Sequence, residues 1–276
     1  MPATLELVTR SVPANKHTMG VSLNSLMRRV PMIIGPLIGG VLIERYGETD
    51  GIRYAFIIAT ILAIVSTFLQ QWLINVPAKT KNKAQVNPAA LWREMSAALK
   101  QLLFSDILIR FCEQIPYAFV VLWCIKGVSV TPVQFAELTT VEMLTALLIY
   151  IPIAHFADKK TKKPFIITTF IFFDAFPVVL LLSHSFTGLM FAFVLRGLKE
   201  FGEPMRKALI MELCPEYKKA GMFGFYYLLR DSVVALAAFA GAWLWEISPL
   251  VNLLTAFTFG IAGTIWFVLK GKEKKF

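Results

Sequence analysis

Long runs of apolar residues, separated by short polar segments, dominate the sequence. Because a helix needs about 20 apolar residues to cross the hydrocarbon core of a bilayer, these runs predict transmembrane helices. The run at 187–211 is the least regular, since charged residues crowd its second half. Eight candidate spans follow from the pattern, near residues 20–44, 53–75, 105–126, 134–157, 164–182, 187–211, 220–246 and 250–270.

The composition supports a protein whose solvent is the lipid bilayer. Hydrophobic residues make up 57% of the 276 residues and charged residues only 17%, which is too apolar for an ordinary soluble domain. The net charge of +10 does not indicate nucleic acid, because the Lys and Arg residues lie between the apolar runs rather than on one polar face. We therefore predict an all-α polytopic membrane bundle with no nucleic-acid partner.

The residues typical of enzymes and metal sites are absent from the pattern. Cys112, Cys124 and Cys214 lack the spacing of metal ligands, and the histidines lie in or beside loops. No catalytic motif or phosphate-binding loop is recognisable. We predict that the chain is not an enzyme, has no catalytic residues and needs no metal or cofactor.

The distribution of Lys and Arg predicts the orientation in the membrane. Alternate loops, together with both ends of the chain, carry a net positive charge, and the loops between them are neutral or weakly acidic. By the positive-inside rule both termini lie in the cytoplasm. We predict an integral protein of a plasma membrane, the inner membrane of a bacterium.

The longest polar connection divides the chain into three parts. Residues 1–75 hold the first two spans, 76–104 form a cytoplasmic linker, and 105–276 hold the remaining six spans. The second half of the linker is amphipathic and predicts a helix along the membrane surface. Its apolar face consists of Leu91, Met95, Leu99 and Leu102.

The two ends of the chain are related by an internal repeat. At an offset of 202 residues, nine identities align without a gap, among them Pro2 with Pro204 and Arg28 with Arg230. Duplicated halves are typical of transporters. If each half has six helices, the chain holds two helices of the first half and all of the second, and four helices are missing before Met1.

Three motifs resemble those of the major facilitator superfamily. The stretch AHFADKKTKK at 154–163 is similar to a loop motif of that family, with Asp158, Lys159, Lys162 and Lys163 at its charged positions. Arg196 precedes Gly197 and Gly202 as in the arginine motif of the family's fourth helix. A partial match to the helix motif of drug and proton antiporters consists of Gly35, Pro36, Gly39 and Gly40.

The resemblance implies family helices 5 to 12 and alternating access of two helical bundles, as an antiporter or symporter. It implies that Asp158 helps to hold the two bundles together, near the start of the first span, in a gating loop with Lys159, Lys162 and Lys163. A solvated loop acid is the alternative for Asp158. For the glycine motif the alternatives are simple helix packing and a role in preventing leak.

Ionisable groups within spans are candidates for binding substrate and protons, because each is costly in the membrane without a partner or a cavity. Arg110 with Glu113, and Arg196 with Glu200, have the spacing of helical pairs, so structural ion pairing is their alternative. Desolvation should favour the protonated form of Asp174. We rank Glu113 first and Asp174 second, and the candidates are Glu113, Arg110, Asp174, Glu142, Arg196, Glu200 and Arg230.

The sequence predicts a secondary active transporter of a small organic solute, coupled to protons. Adjacent Arg230 and Asp231 are expected to point to different sides of their helix. The alternative is a truncated remnant or a subunit without independent transport activity. A membrane-embedded enzyme is a distant third possibility.

Overall fold

The computed structural model describes residues 17–73, 88–156, 161–215 and 219–273, with the backbone alone at 17–29, 150–156 and 219–220. Over these ranges the regular structure is helical and contains no strand. The prediction of an all-α membrane bundle is therefore confirmed. The α-helices are α1 His17–Leu73, α2 Pro88–Glu94, α3 Ala97–Gln114, α4 Phe119–Leu122, α5 Pro132–Phe156, α6 Lys163–Leu182, α7 Phe186–Leu198, α8 Glu203–Leu213, α9 Lys219–Ile247 and α10 Pro249–Lys270.

Helix α1 contains the first two predicted spans as two arms that meet at Gly47. Gly47 has a φ of 79°, a left-handed conformation that glycine adopts without strain. A Cβ atom added to Gly51 would lie 2.5 Å from the Cα of Ile43. A straight helix would separate these two positions by about 12 Å, so the chain reverses direction at Gly47.

Among the described residues, six helical segments are long and apolar enough to cross a membrane. The first of them contains both arms of α1, so these segments account for seven of the eight predicted spans. They are Val30–Leu73, Ala97–Gly127, Pro132–Ile149, Lys163–Leu182, Gly221–Ile247 and Pro249–Lys270.

The predicted span at 187–211 is not one continuous helix. Helix α7 ends at Leu198, α8 begins at Glu203, and residues 199–202 form a turn between them. The sequence shows the reason, because this region combines charged residues with Gly197 and Gly202. The break brings polar side chains into the bundle and positions the site described below.

The amphipathic part of the predicted linker packs its apolar face on the bundle. Its apolar residues Leu91, Met95, Leu99 and Leu102 are all buried, in one cluster with Leu209 of α8. Helix α3 begins at Ala97, with Ser96 as N-cap accepting the Leu99 N–H at 3.2 Å. The first helix of the predicted C-terminal bundle therefore extends back into the predicted linker.

Helices α3 and α5 to α10 pack together around the apolar core, and α1 packs on α5. The hydroxyl of Thr140 on α5 lies 3.4 Å from the carbonyl oxygen of Ile33 on α1. By contrast, the most apolar window of α1 has no buried residue. The apolar surface of α1 is thus exposed over most of its length, as expected for a helix in contact with lipid or with other helices.

The membrane segment that begins with α3 is broken near its middle. Helix α3 ends at Gln114, residues 115–118 form a turn around Pro116, and α4 continues into a π-helix at Trp123–Gly127. Proline removes a helical hydrogen bond, which explains the position of the break. Discontinuous transmembrane helices frequently form binding sites, and this one borders the charged cluster of the bundle.

Candidate functional site

A network of ionised side chains connects α3, α5, α7, α8, α9 and the turn at 199–202. Its five carboxylates and six cations are joined by ion pairs, and most of them are buried or half-buried. Charges inside a membrane protein are stable only with such partners. The members are Asp106, Arg110, Glu113, Glu142, Arg196, Lys199, Glu203, Arg206, Lys207, Arg230 and Asp231.

Glu113 lies at the centre of this network. Its Oε2 is 2.6 Å from Arg110 on the same helix, as the sequence spacing allowed, and its Oε1 is 2.5 Å from Lys199 of the turn. Arg110 also reaches Glu203 at 3.3 Å. Both oxygens of Glu113 therefore bind cations, and the turn is tied to α3 through it.

Asp106 occupies the most enclosed part of the network and was missing from the predicted site. It is 0% exposed and accepts hydrogen bonds from Arg206, from the Tyr226 hydroxyl at 3.0 Å and from Arg230 at 3.5 Å. Arg206 also binds Glu203 of α8 at 2.5 Å. The only local hint in the sequence was the spacing of Asp106 four residues before Arg110.

Arg196 and Glu142, which the sequence placed on different spans, form an ion pair of 3.3 Å. Glu142 is also 3.8 Å from Lys199. Glu200, the predicted local partner of Arg196, lies in the turn between α7 and α8. The ion pair with Glu142 thus connects α5 to α7 and brings three of the candidate residues into the network.

Adjacent Arg230 and Asp231 face different environments, as expected from the sequence: the Arg230 side chain is 10% exposed and the Asp231 side chain 60%. Arg230 Nε lies 2.8 Å from Asp231 Oδ1, while its Nη1 extends to the buried Asp106. The guanidinium is long enough to reach a carboxylate one residue away and another on a different helix. Its Cζ also lies 4.2 Å from the ring centre of Tyr227.

A small cavity lies beside the network at the broken helix. Its volume of about 10 Å³ is room for about one water molecule, so it is closed in this conformation. The lining combines charged groups with aromatic rings. It consists of Cys112, Glu113, Tyr117, Val120, Phe173, Phe176, Arg196 and Lys199.

Asp174 follows Phe173, a residue of the cavity lining, and lies outside the ion-pair network. It is the twelfth of the 20 residues of α6 and is 4% exposed. Its Oδ2 accepts a 2.6 Å hydrogen bond from Thr264 of α10, and its Oδ1 has no hydrogen-bond partner among the described residues. A Cβ atom added to Gly260 would overlap Asp174 Oδ1 and lie 2.9 Å from the sulfur of Cys112, which lines the cavity.

The described part of the predicted gating loop contacts its own bundle. Lys162 pairs with Glu212 of α8 at 2.6 Å. Lys163 Nζ donates to the carbonyl oxygens of Val268 and Gly271, at 2.9 and 2.8 Å, at the end of α10. Asp158 and Lys159 lie outside the described residues, so the predicted contact between the two bundles stays a prediction.

Of the three glycines in the α1 motif, Gly40 lies against α5. A Cβ atom added to Gly40 would lie 2.9 Å from Ala136 Cβ and from the Pro132 carbonyl oxygen, so a larger residue would separate the helices. Cβ atoms at Gly35 and Gly39 would meet nothing within 4 Å in the described structure. Close packing explains Gly40, and the role of the rest of the motif stays a prediction.

The comparisons with known proteins agree with the motifs and with the helical bundle. The family model described as Major Facilitator Superfamily matches residues 1–128 and 102–276, which together span the whole chain. A comparison with curated proteins finds no match. The chain therefore belongs to the major facilitator superfamily and is a polytopic membrane transporter.

Proposed function

We propose that the protein is a secondary active transporter that moves a small organic solute by alternating access and couples this movement to protons. The observation that carries the proposal is Asp174, a buried carboxyl group within an apolar membrane helix, one of whose oxygens has no hydrogen-bond partner among the described residues. A carboxyl group that is neutral when protonated and costly when ionised suits proton coupling.

This proposal ranks Asp174 above Glu113, the reverse of the order expected from the sequence. Both oxygens of Glu113 bind cations, Arg110 and Lys199, so a proton added to Glu113 would have to disrupt one of these ion pairs. Asp174 has only the hydroxyl of Thr264 as a donor among the described residues. Glu113 is therefore assigned to solute binding and to the ion-pair network, and Asp174 to carrying the proton.

The test is uptake by proteoliposomes containing the purified chain, with an imposed pH gradient and a panel of labelled acidic, neutral and basic aromatic solutes. We expect the gradient to drive accumulation of at least one solute. Asp174→Asn should abolish accumulation while leaving exchange of solute at equal pH. Asp50→Asn is the matched control, because Asp50 is 56% exposed and pairs only with the neighbouring Arg53 among the described residues.

The second candidate is a chain that transports only together with further helices or a partner. The internal repeat between the two ends of the chain and the absence of buried residues in the most apolar window of α1 favour it. In that case the purified chain would be folded and would bind solute, yet proteoliposomes would show no flux. Flux through the chain alone would exclude this candidate.

The proposed orientation has both termini in the cytoplasm of a bacterium. It rests on the positive loops, whose Lys and Arg residues alternate with neutral loops along the chain. A reporter that is active only in the cytoplasm should be active after Phe276 and inactive when inserted after Ser183. The opposite pattern would reverse the orientation.

A further inference from the structure

The charged side chains around the cavity differ in how many of their polar atoms already have an ion-pair partner. This inference rests on the proposed transport function. Glu113 is the carboxylate in the cavity lining, and each of its oxygens already binds a cation, Arg110 at 2.6 Å and Lys199 at 2.5 Å. A cationic solute would have to displace one of these cations. The site is therefore poorly suited to ammonium groups.

Arg196 has unused capacity for an anion. A guanidinium carries five N–H donors, and a single contact of 3.3 Å to Glu142 is the ion pair that the described residues give it. The side chain is 12% exposed and contributes to the cavity lining. Donors of Arg196 are thus available for a carboxylate, which a guanidinium can bind through two parallel hydrogen bonds.

Aromatic rings surround this guanidinium. Its Cζ lies 5.4 Å from the ring centre of Phe176, 5.6 Å from that of Phe193 and 5.8 Å from that of Tyr117. Such cation–π contacts hold the guanidinium in place without using its donors fully. Phe176 and Tyr117 also line the cavity and offer an apolar surface to the body of a solute.

The local charge balance favours one negative charge on the solute. The charged residues that line the cavity are Arg196, Lys199 and Glu113, which gives a formal charge of two minus one, or +1. A monoanion would neutralise it, and a buried excess charge is costly in the membrane.

We propose that this cavity binds a small organic monocarboxylate with an aromatic or apolar body. The carboxylate binds the guanidinium of Arg196, and the body packs against Tyr117 and Phe176. Since the cavity holds about one water molecule in this conformation, binding requires the helices to separate there. The break after Gln114 allows α4 to move relative to α3.

Three probes with the same ring and different charges test the proposal: phenylacetate, phenylacetamide and phenethylamine. The readout is the thermal unfolding temperature of the detergent-purified full chain, with indole-3-acetate as a larger carboxylate. We expect the carboxylates to raise this temperature in a saturable way and the amide and amine to have no effect. Equal stabilisation by the amine or amide, or none by either carboxylate, would overturn the proposal.

Variants of Arg196 connect binding to the proposed residue. Arg196→Gln should weaken phenylacetate binding by about tenfold or more, because a charge-assisted bidentate contact is lost. Arg196→Lys keeps the charge and should retain part of the affinity for phenylacetate. This variant serves as the test if Arg196→Gln fails to fold. Arg53→Gln, at a side chain that is 69% exposed, is the matched control. Unchanged binding by both Arg196 variants would contradict the proposed role.

This experiment separates the solute class from the proposed function. If phenylacetate binds but a pH gradient drives no uptake, the proposal of proton-coupled transport fails and the solute class stands. If a pH gradient drives uptake of phenethylamine and carboxylates do not bind, transport stands and the solute class is wrong.

Discussion

Asp106 and Asp174 are two buried carboxyl groups in membrane helices, yet their surroundings differ. Asp106 accepts hydrogen bonds from Arg206, Tyr226 and Arg230. Asp174 accepts one from Thr264, and its other oxygen has no partner among the described residues. The first is paired with two guanidinium groups and connects three helices. The second lies outside the ion-pair network, and in our proposal it exchanges a proton without breaking that network.

The largest effect is expected at Asp106. Asp106→Asn leaves the buried guanidinium groups of Arg206 and Arg230 without their shared carboxylate, which should cost about 3 to 5 kcal/mol of unfolding free energy. Titration with SDS, followed by helical circular dichroism, would measure this. Arg206→Met added to the same variant should recover part of the loss. A loss below about 1 kcal/mol would show that Asp106 does not compensate the charge of these two guanidinium groups.

A smaller loss of stability is expected for a substitution of Gly260, which lies against Asp174. A Cβ atom there would overlap Asp174 Oδ1, so Gly260→Ala should cost about 1 to 3 kcal/mol and reduce proton-driven uptake. Gly224→Ala on α9 is the control, since its Cβ would meet nothing within 4 Å. The same SDS titration and uptake assay apply to both. Equal behaviour of the two variants would contradict close packing at Asp174.

The hydrogen bond from Thr264 should contribute about 1 kcal/mol. Thr264→Val keeps the shape of the side chain and removes the donor to Asp174, while Thr264→Ser keeps the hydroxyl. We expect Thr264→Val to lower the unfolding free energy by about 1 kcal/mol and Thr264→Ser to retain the hydrogen bond, as measured by SDS titration. If Thr264→Val is as stable as the wild type, this hydrogen bond does not contribute to stability.

The smallest change in stability is expected for Asp174→Asn. Because a neutral carboxyl group and an amide are similar in shape and polarity, the unfolding free energy should change by less than about 1 kcal/mol. Asp106→Asn, the same substitution on α3, is the comparison. A loss at Asp174 as large as at Asp106 would mean that both carboxyl groups are structural.

The sequence predicted the helices better than the contacts between them. Apolar length located α6 and α10 within one or two residues, since each is a single continuous run. The same criterion failed at 187–211, because charged residues and Gly202 break the helix while apolar residues continue on both sides. The length of an apolar run predicts which segments are hydrophobic enough to cross a membrane. It does not predict where the backbone hydrogen bonds of a helix are interrupted.

The site was predictable only where its contacts are local. The spacing of Arg110 and Glu113 on one helix allowed their ion pair to be expected. Asp106 was missed because Arg206 and Arg230, its cationic partners, lie 100 and 124 residues away in the chain. Asp174 became a candidate because a carboxyl group in an apolar run is unusual in itself, and its role stays a prediction.

The central claim, that Asp174 carries the coupled proton, is tested most directly by measuring proton movement during solute flux. Proteoliposomes containing a pH-sensitive dye and no initial pH gradient are exposed to a gradient of a transported solute. For the wild type and Asp50→Asn, we expect a change of internal pH that follows the solute. For Asp174→Asn, we expect solute flux without this change. A pH change of wild-type size in the Asp174→Asn variant would contradict the account.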